Sequence, residues 1–103
     1  MIKKNNKCIY AVHYNSLNTH IVEVSYYECI ADDRIDLNTK RLSRQDVISE
    51  IKKGILFYTI TKNANGKWEE GALVIIHLVH GIEYIKTVQD TSLRDNLDQL
   101  PRY

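Results

Sequence analysis

Proline is almost absent from this chain of 103 residues, with Pro101 the single instance, and there are four glycines. That excludes a flexible linker and a low-complexity segment. No internal repeat is present, so one domain is expected. A bilayer-spanning helix needs about 20 apolar residues. The longest apolar run, "ALVIIHLV", is short and carries His77. The start, "MIKKNNKCIY", has lysines but no apolar stretch behind them, so no signal peptide is expected. A cytoplasmic protein without membrane contact follows as the expectation. The net charge is only +1, which argues against a general polyanion binder. Cysteine is scarce, and the two thiols, Cys8 and Cys29, are expected to stay reduced.

Catalytic and metal signatures are missing as well. There is no C-x-x-C, no H-E-x-x-H, no Walker loop and no G-x-S-x-G. His77 and His80 are three apart in a strand context and point to opposite faces. Cys8 and His13 are five apart on one strand, which argues against a nucleophile–base pair. No enzyme activity, cofactor or metal is expected.

What the chain does contain is strong local patterning. "CIYAVHYNSLNTHIVEVSYYECI" alternates with period two on both sides of a polar turn, which predicts a β-hairpin. Cys8 is then roughly opposite Tyr27 to Cys29. "ADDRIDLNTKR" is polar and non-periodic and reads as a loop, with at most a short extended piece at Ile35–Asn38. "LSRQDVISEIKKG" predicts a helix over Arg44–Lys53. Ser43 is its N-cap with Asp46 at N3, Leu42 and Val47 form a staple, and Gly54 supplies the left-handed end. "ILFYTITKNANGKWEE" returns to strand around Asn65-Gly66, a pair suited to a type I′ turn. "GALVIIHLVHGIEYIKTV" supplies two more strands, broken at His80-Gly81. Leu73–Val79 is apolar on both faces, which predicts a central strand with the helix on one side. In the tail, Ser92 and Asp95 repeat a cap pattern, and Leu93, Leu97 and Leu100 share one helical face before Pro101.

The fold expected is therefore α+β: an antiparallel sheet of about five strands in the order β-β-α-β-β-β. One main helix packs on it, and a short C-terminal helix or ordered tail closes it.

Two features point toward binding. Seven of the nine aromatics are tyrosine, a side chain with an apolar body and a polar tip that suits contact surfaces. Arg34, Lys40, Arg41 and Arg44 precede or open the helix, whose first backbone N–H groups favour an anion. The candidate ligand-binding residues are Arg34, Arg41, Arg44, Tyr26, Tyr58 and Tyr84, together with Asp95 and Asn96, which serve either as caps or as contacts. The expected function is non-enzymatic binding of a small anionic, nucleotide-like ligand. A bacterial or phage accessory system, such as one countering host defence, is the expected setting. The abundance of Lys, Asn and Ile suits an AT-rich genome of that kind. The alternatives are a domain that blocks a host protein, or a regulatory domain associated with nucleic acid. A homo-oligomer is expected from the two apolar faces of the central strand.

The stretch "KTVQDTSLRDNLDQLPRY" resembles the C-terminal signature of a small family of bacterial and phage proteins of unknown function. That signature is D-N-L-x-x-L-P after a strand that ends in threonine, here Thr87, Asp90, Asp95, Asn96, Leu97, Leu100 and Pro101. "DVISEIKKGILFYT" resembles the family's middle, a short helix, a glycine and an aromatic-rich strand. The resemblance implies a shared fold and no known activity.

Overall fold

A computed structural model describes residues 3–17, 20–88 and 100–103. Six strands and one helix follow in the order β1 (Lys7–Tyr14), β2 (Ile21–Ala31), β3 (Arg34–Ser43), α1 (Arg44–Lys52), β4 (Phe57–Lys62), β5 (Trp68–Val79) and β6 (Ile82–Thr87). They form one sheet with the strand order β3-β2-β1-β4-β5-β6. The α+β class holds, but the sheet has six strands rather than about five, and it is mixed rather than antiparallel.

Both corrections have a physical origin. The polar stretch expected to be a loop is β3, an edge strand with Glu23–Ala31 as its partner segment. Its outward positions face water, so no apolar alternation marks it. Its free edge is partly blocked, because the Asn38 N–H donates to Asp36 Oδ1 at 3.1 Å. The parallel pair is β1 with β4, at Lys7–Phe57, Cys8–Tyr58 and Ile9–Thr59. It follows from α1: a helix between two strands of one sheet carries the chain back along the face, so β4 runs in the direction of β3 and β1. β5 sits between β4 and β6, one place from the edge. Its far end is open, with Leu78 65% exposed.

Local chemistry explains the boundaries. Ser43 Oγ accepts from the Asp46 N–H at 3.1 Å, as the cap pattern requires. Gly54, at φ +95°, ends the helix. His80 and Gly81 both have positive φ and join β5 to β6 as a two-residue turn. Around Asn65-Gly66 the hairpin exists, but its loop runs from Asn63 to Lys67, closed by the Lys62–Trp68 pair. The Asn63 carboxamide oxygen accepts from the N–H groups of Asn65 (2.9 Å) and Lys67 (3.0 Å). A side chain thus replaces the tighter turn.

The main core lies between α1 and the sheet. It joins Ile9, Val12, Ile21, Val24 and Tyr26 to Phe57, Val74 and Ile85 beneath Val47 and Ile48. Lys7 Nζ reaches Glu50 at 2.5 Å and lies 5.3 Å from the Tyr26 ring. It ties the start of β1 to the end of the helix. Leu100 enters this core, and residues 101–103 extend beside β1. The tail cap and helix face expected at Ser92, Leu93, Asp95, Asn96 and Leu97 lie outside the described residues. Among the described residues, no helix is long and apolar enough to cross a membrane.

Candidate functional site

The sheet face opposite α1 has a second, smaller cluster. Cys8, Cys29 and Ile60 are buried at its base, with Tyr10, Tyr27, Ile35 and Trp68 packed over them. Register places the parts. Cys8 is opposite Tyr27, and a register shift at Tyr10 brings its ring over the neighbouring strand. Tyr10 and Tyr27 stack with centroids 4.3 Å apart and planes 13° from parallel. Trp68 leans against both, at 6.0 Å and 5.8 Å. The Tyr10 hydroxyl shares a 2.9 Å hydrogen bond with Thr39 Oγ1 of β3. Burial raises the Tyr27 phenol above its ordinary pKa, and its hydrogen bond with Tyr10 adds to this.

Beside this layer is an open groove of about 430 Å³. Asp33, Ile35 and Leu37 of the β2–β3 turn and β3 form one wall; Gly66, Lys67 and Trp68 of the β4–β5 hairpin form the other. β3 and β5 have three strands between them in the sheet order. Their meeting across one groove means that the sheet curls toward this face. Lys62 Nζ sits 5.1 Å from the Trp68 ring centroid, an attractive position over an indole. Leu37 is 65% exposed on the wall. The site therefore offers apolar and aromatic walls with two lysines at one rim and an aspartate at the other.

Cys8, beneath it, is not poised for chemistry. Burial pushes the Cys8 thiol up to about 12, helped by Cys29 and by Glu70. A thiol that stays protonated is a poor nucleophile and a poor ligand. Cys29 Sγ donates to the Ala31 carbonyl at 2.8 Å. Among the described residues, no group of three His, Cys, Asp or Glu side chains is placed to hold a metal.

A second open pocket, about 460 Å³, lies between α1 and the β5–β6 turn, lined by Arg44, Ile48, Lys52, Ile82 and Glu83 among others. Its Lys52 is already paired with Glu83 at 2.9 Å, and no aromatic ring lines it.

The residues singled out from sequence are dispersed. Arg34 opens β3 opposite Ala31, between the groove-lining Asp33 and Ile35. Arg41 is opposite Ser25 on the same strand. At roughly 3.3 Å per residue, the two arginine backbones are about 23 Å apart. Arg41 lies over the Tyr103 ring at 5.3 Å, and Arg44 over the Tyr84 ring at 5.8 Å. Tyr84 also stacks on His20 at 5.6 Å. Tyr26 is a core residue, 5% exposed and edge-on to Phe57 at 6.2 Å. Tyr58 is half-buried on β4, opposite Cys8 and Leu73. Asp95 and Asn96 lie outside the described residues. None of the set lines the Trp68 groove, although Arg34 lies between two residues that do. Sequence reasoning missed Tyr10, Tyr27, Lys62 and Trp68 as a group. The available signal was the lone tryptophan just past a turn flanked by Lys62 and Lys67.

Comparison with known proteins adds a family and no activity. Residues 8–101 match the family described as "Protein of unknown function (DUF3892)". No curated protein and no solved structure matches the chain. The chain belongs to that family of unknown function.

Proposed function

We propose that this domain is a non-enzymatic binding module that holds a small anionic, ring-bearing ligand of nucleotide type in the Trp68 groove. The observation that carries this reading is the indole wall with Lys62 above it and Lys67 at the rim. A flat ring placed against Trp68, Ile35 and Leu37 gains stacking and apolar contact, worth about 1–3 kcal/mol for a base on an aromatic side chain. An attached phosphate gains the lysines. The setting we favour is a bacterial or phage accessory protein that sequesters such a ligand, in keeping with the Lys-, Asn- and Ile-rich composition. A protein partner is the second reading, favoured by the exposure of Leu37.

Trp68 is the only tryptophan, so it reports directly. Titration with a panel of linear and cyclic nucleotides should quench its fluorescence to saturation, with one ligand mass per chain in native mass spectrometry. Lys62→Ala should weaken the quench. A flat titration across the panel with no bound mass rejects the nucleotide reading and moves the weight to a protein partner at the Leu37 wall.

A further inference from the structure

β4 accompanies β1 only from Lys7 to Ile9. Beyond that point the edge of β1 is taken by residues 101–103. The Val12 N–H donates to the Pro101 carbonyl at 2.9 Å, and the Tyr103 N–H donates to the Val12 carbonyl at 3.0 Å. This is a parallel bridge between Val12 and Arg102. Its geometry leaves the nitrogen of residue 101 outside the ladder, so a proline there costs no bond.

Three of the tail side chains have seats. Leu100 is buried in the main core. The Arg102 guanidinium lies 4.1 Å from the Tyr14 ring centroid. The Tyr103 ring stacks on His13 at 5.3 Å and lies under Arg41, and its hydroxyl donates to Glu23 Oε1 at 2.9 Å. His13 Nδ1 also meets the Tyr103 carbonyl oxygen. Pro101, Arg102 and Tyr103 themselves remain exposed. A strap with one buried anchor, one bridge and three surface residues is seated like a bound peptide.

The geometry points to the outer edge of β1, Val12–Tyr14, as a peptide-docking slot. Its resident occupant is the chain's own tail, and the partner it fits is an extended segment of the pattern aliphatic–proline–basic–tyrosine. Strand addition to a sheet edge derives affinity from backbone bonds and specificity from side-chain seats, and both are present here. The tethered tail competes at an effective concentration of roughly millimolar, so an outside peptide enters mainly when the tail is unseated. This slot is at the end of β1 away from the Trp68 groove, so the fate of either proposal leaves the other standing.

The test uses the full chain and a fluorescein-labelled peptide of residues 96–103, NLDQLPRY, followed by anisotropy. Leu100→Asp unseats the tail and should tighten peptide binding about 10-fold or more over the wild type, as expected when a tethered competitor is removed. Tyr14→Leu in the same background should reverse that gain, and a scrambled peptide should not bind. If Leu100→Asp is unfolded by circular dichroism, the surface variant Tyr103→Ala takes its place. Equal affinity for wild type and unseated chain, or no binding to a folded unseated chain, overturns the proposal. A wild-type dimer that becomes monomeric in Leu100→Asp would overturn it in favour of tails exchanged between two copies.

Discussion

Under α1 the sheet presents Ile9, Val24, Phe57, Val74 and Ile85 to Val47 and Ile48, a single apolar cluster. On the opposite face three buried residues, Cys8, Cys29 and Ile60, are roofed by Tyr10, Tyr27 and Trp68, each of which carries a polar atom. The first arrangement excludes water and stabilises the fold through apolar area. The second is only half-covered and keeps polar groups available at its surface. The two faces therefore differ in how completely they are covered and in what they leave exposed. Among the described residues, α1 closes one side and no helix covers the other.

Substitutions can test that difference. Phe57→Ala should cost about 3–5 kcal/mol, the usual range for emptying a packed phenyl site. Chemical denaturation checks it. Ile60→Ala on the open face should fall near 2 kcal/mol, the lower end for its class, because the roof can settle into the gap. Equal losses for the two would show that the faces are energetically alike. Gly71→Ala tests the join between β4 and β5, since a Cβ there would meet Thr59 Oγ1 at 2.4 Å. That same oxygen accepts from the Ala72 N–H at 3.0 Å, so it is not free to move without losing a bond. A loss of about 1–3 kcal/mol is expected from such overpacking. Ser43→Ala removes the cap of α1 and should cost about 1 kcal/mol, felt only on the helix face and without effect on Trp68 fluorescence.

The smallest expected effect concerns the open face itself. Lys62→Ala should change stability by no more than about 0.5 kcal/mol, as for most surface sites, while weakening nucleotide quenching of Trp68. A stability loss of the same size as that of Ser43→Ala would make Lys62 structural.

Cys8 offers a pH test of the same face. Its folded pKa, about 12, lies above the ordinary thiol value of 9.0. Between those two values the unfolded chain has released the proton and the folded chain has not, so stability falls as pH rises. Cys8→Ala should shallow the alkaline decline in that window. The native Cys8 thiol should also resist alkylation at pH 8 until denaturant is added.

Much of this architecture is written locally. The helix could be placed to within a residue because Ser43, Asp46 and Gly54 are each chemically suited to one position. The first hairpin followed from alternation about a polar turn, which placed Cys8 opposite Tyr27 to Cys29; the observed partner is Tyr27. β3 was not legible, because a strand at an edge with most side chains in water has no pattern to distinguish it from a loop. The parallel β1–β4 contact was not legible either; it is a property of where the helix returns the chain. At the candidate site, which tyrosines face outward depends on strand register, and their abundance does not carry that. Tyr26 and Tyr27 are neighbours in sequence, yet one lies under the helix and the other under Trp68. The arginines looked clustered because they are close in sequence, whereas a strand pulls them apart.

The bridge between Val12 and Arg102 has a kinetic consequence. His13 and Tyr103, beside it, are 90 residues apart in sequence. Contacts of that separation form late, because a long loop must close before they return any energy. The strap should therefore dock after the hairpins and the helix have assembled, and it should be the first element to lift away. In native-state hydrogen exchange, the amides of Val12 and Tyr103 are expected to lose protection through a local opening, well before those of Ile9 and Val24. Slow protection at Val12 equal to that at Val24 would show instead that the strap opens only with the whole domain.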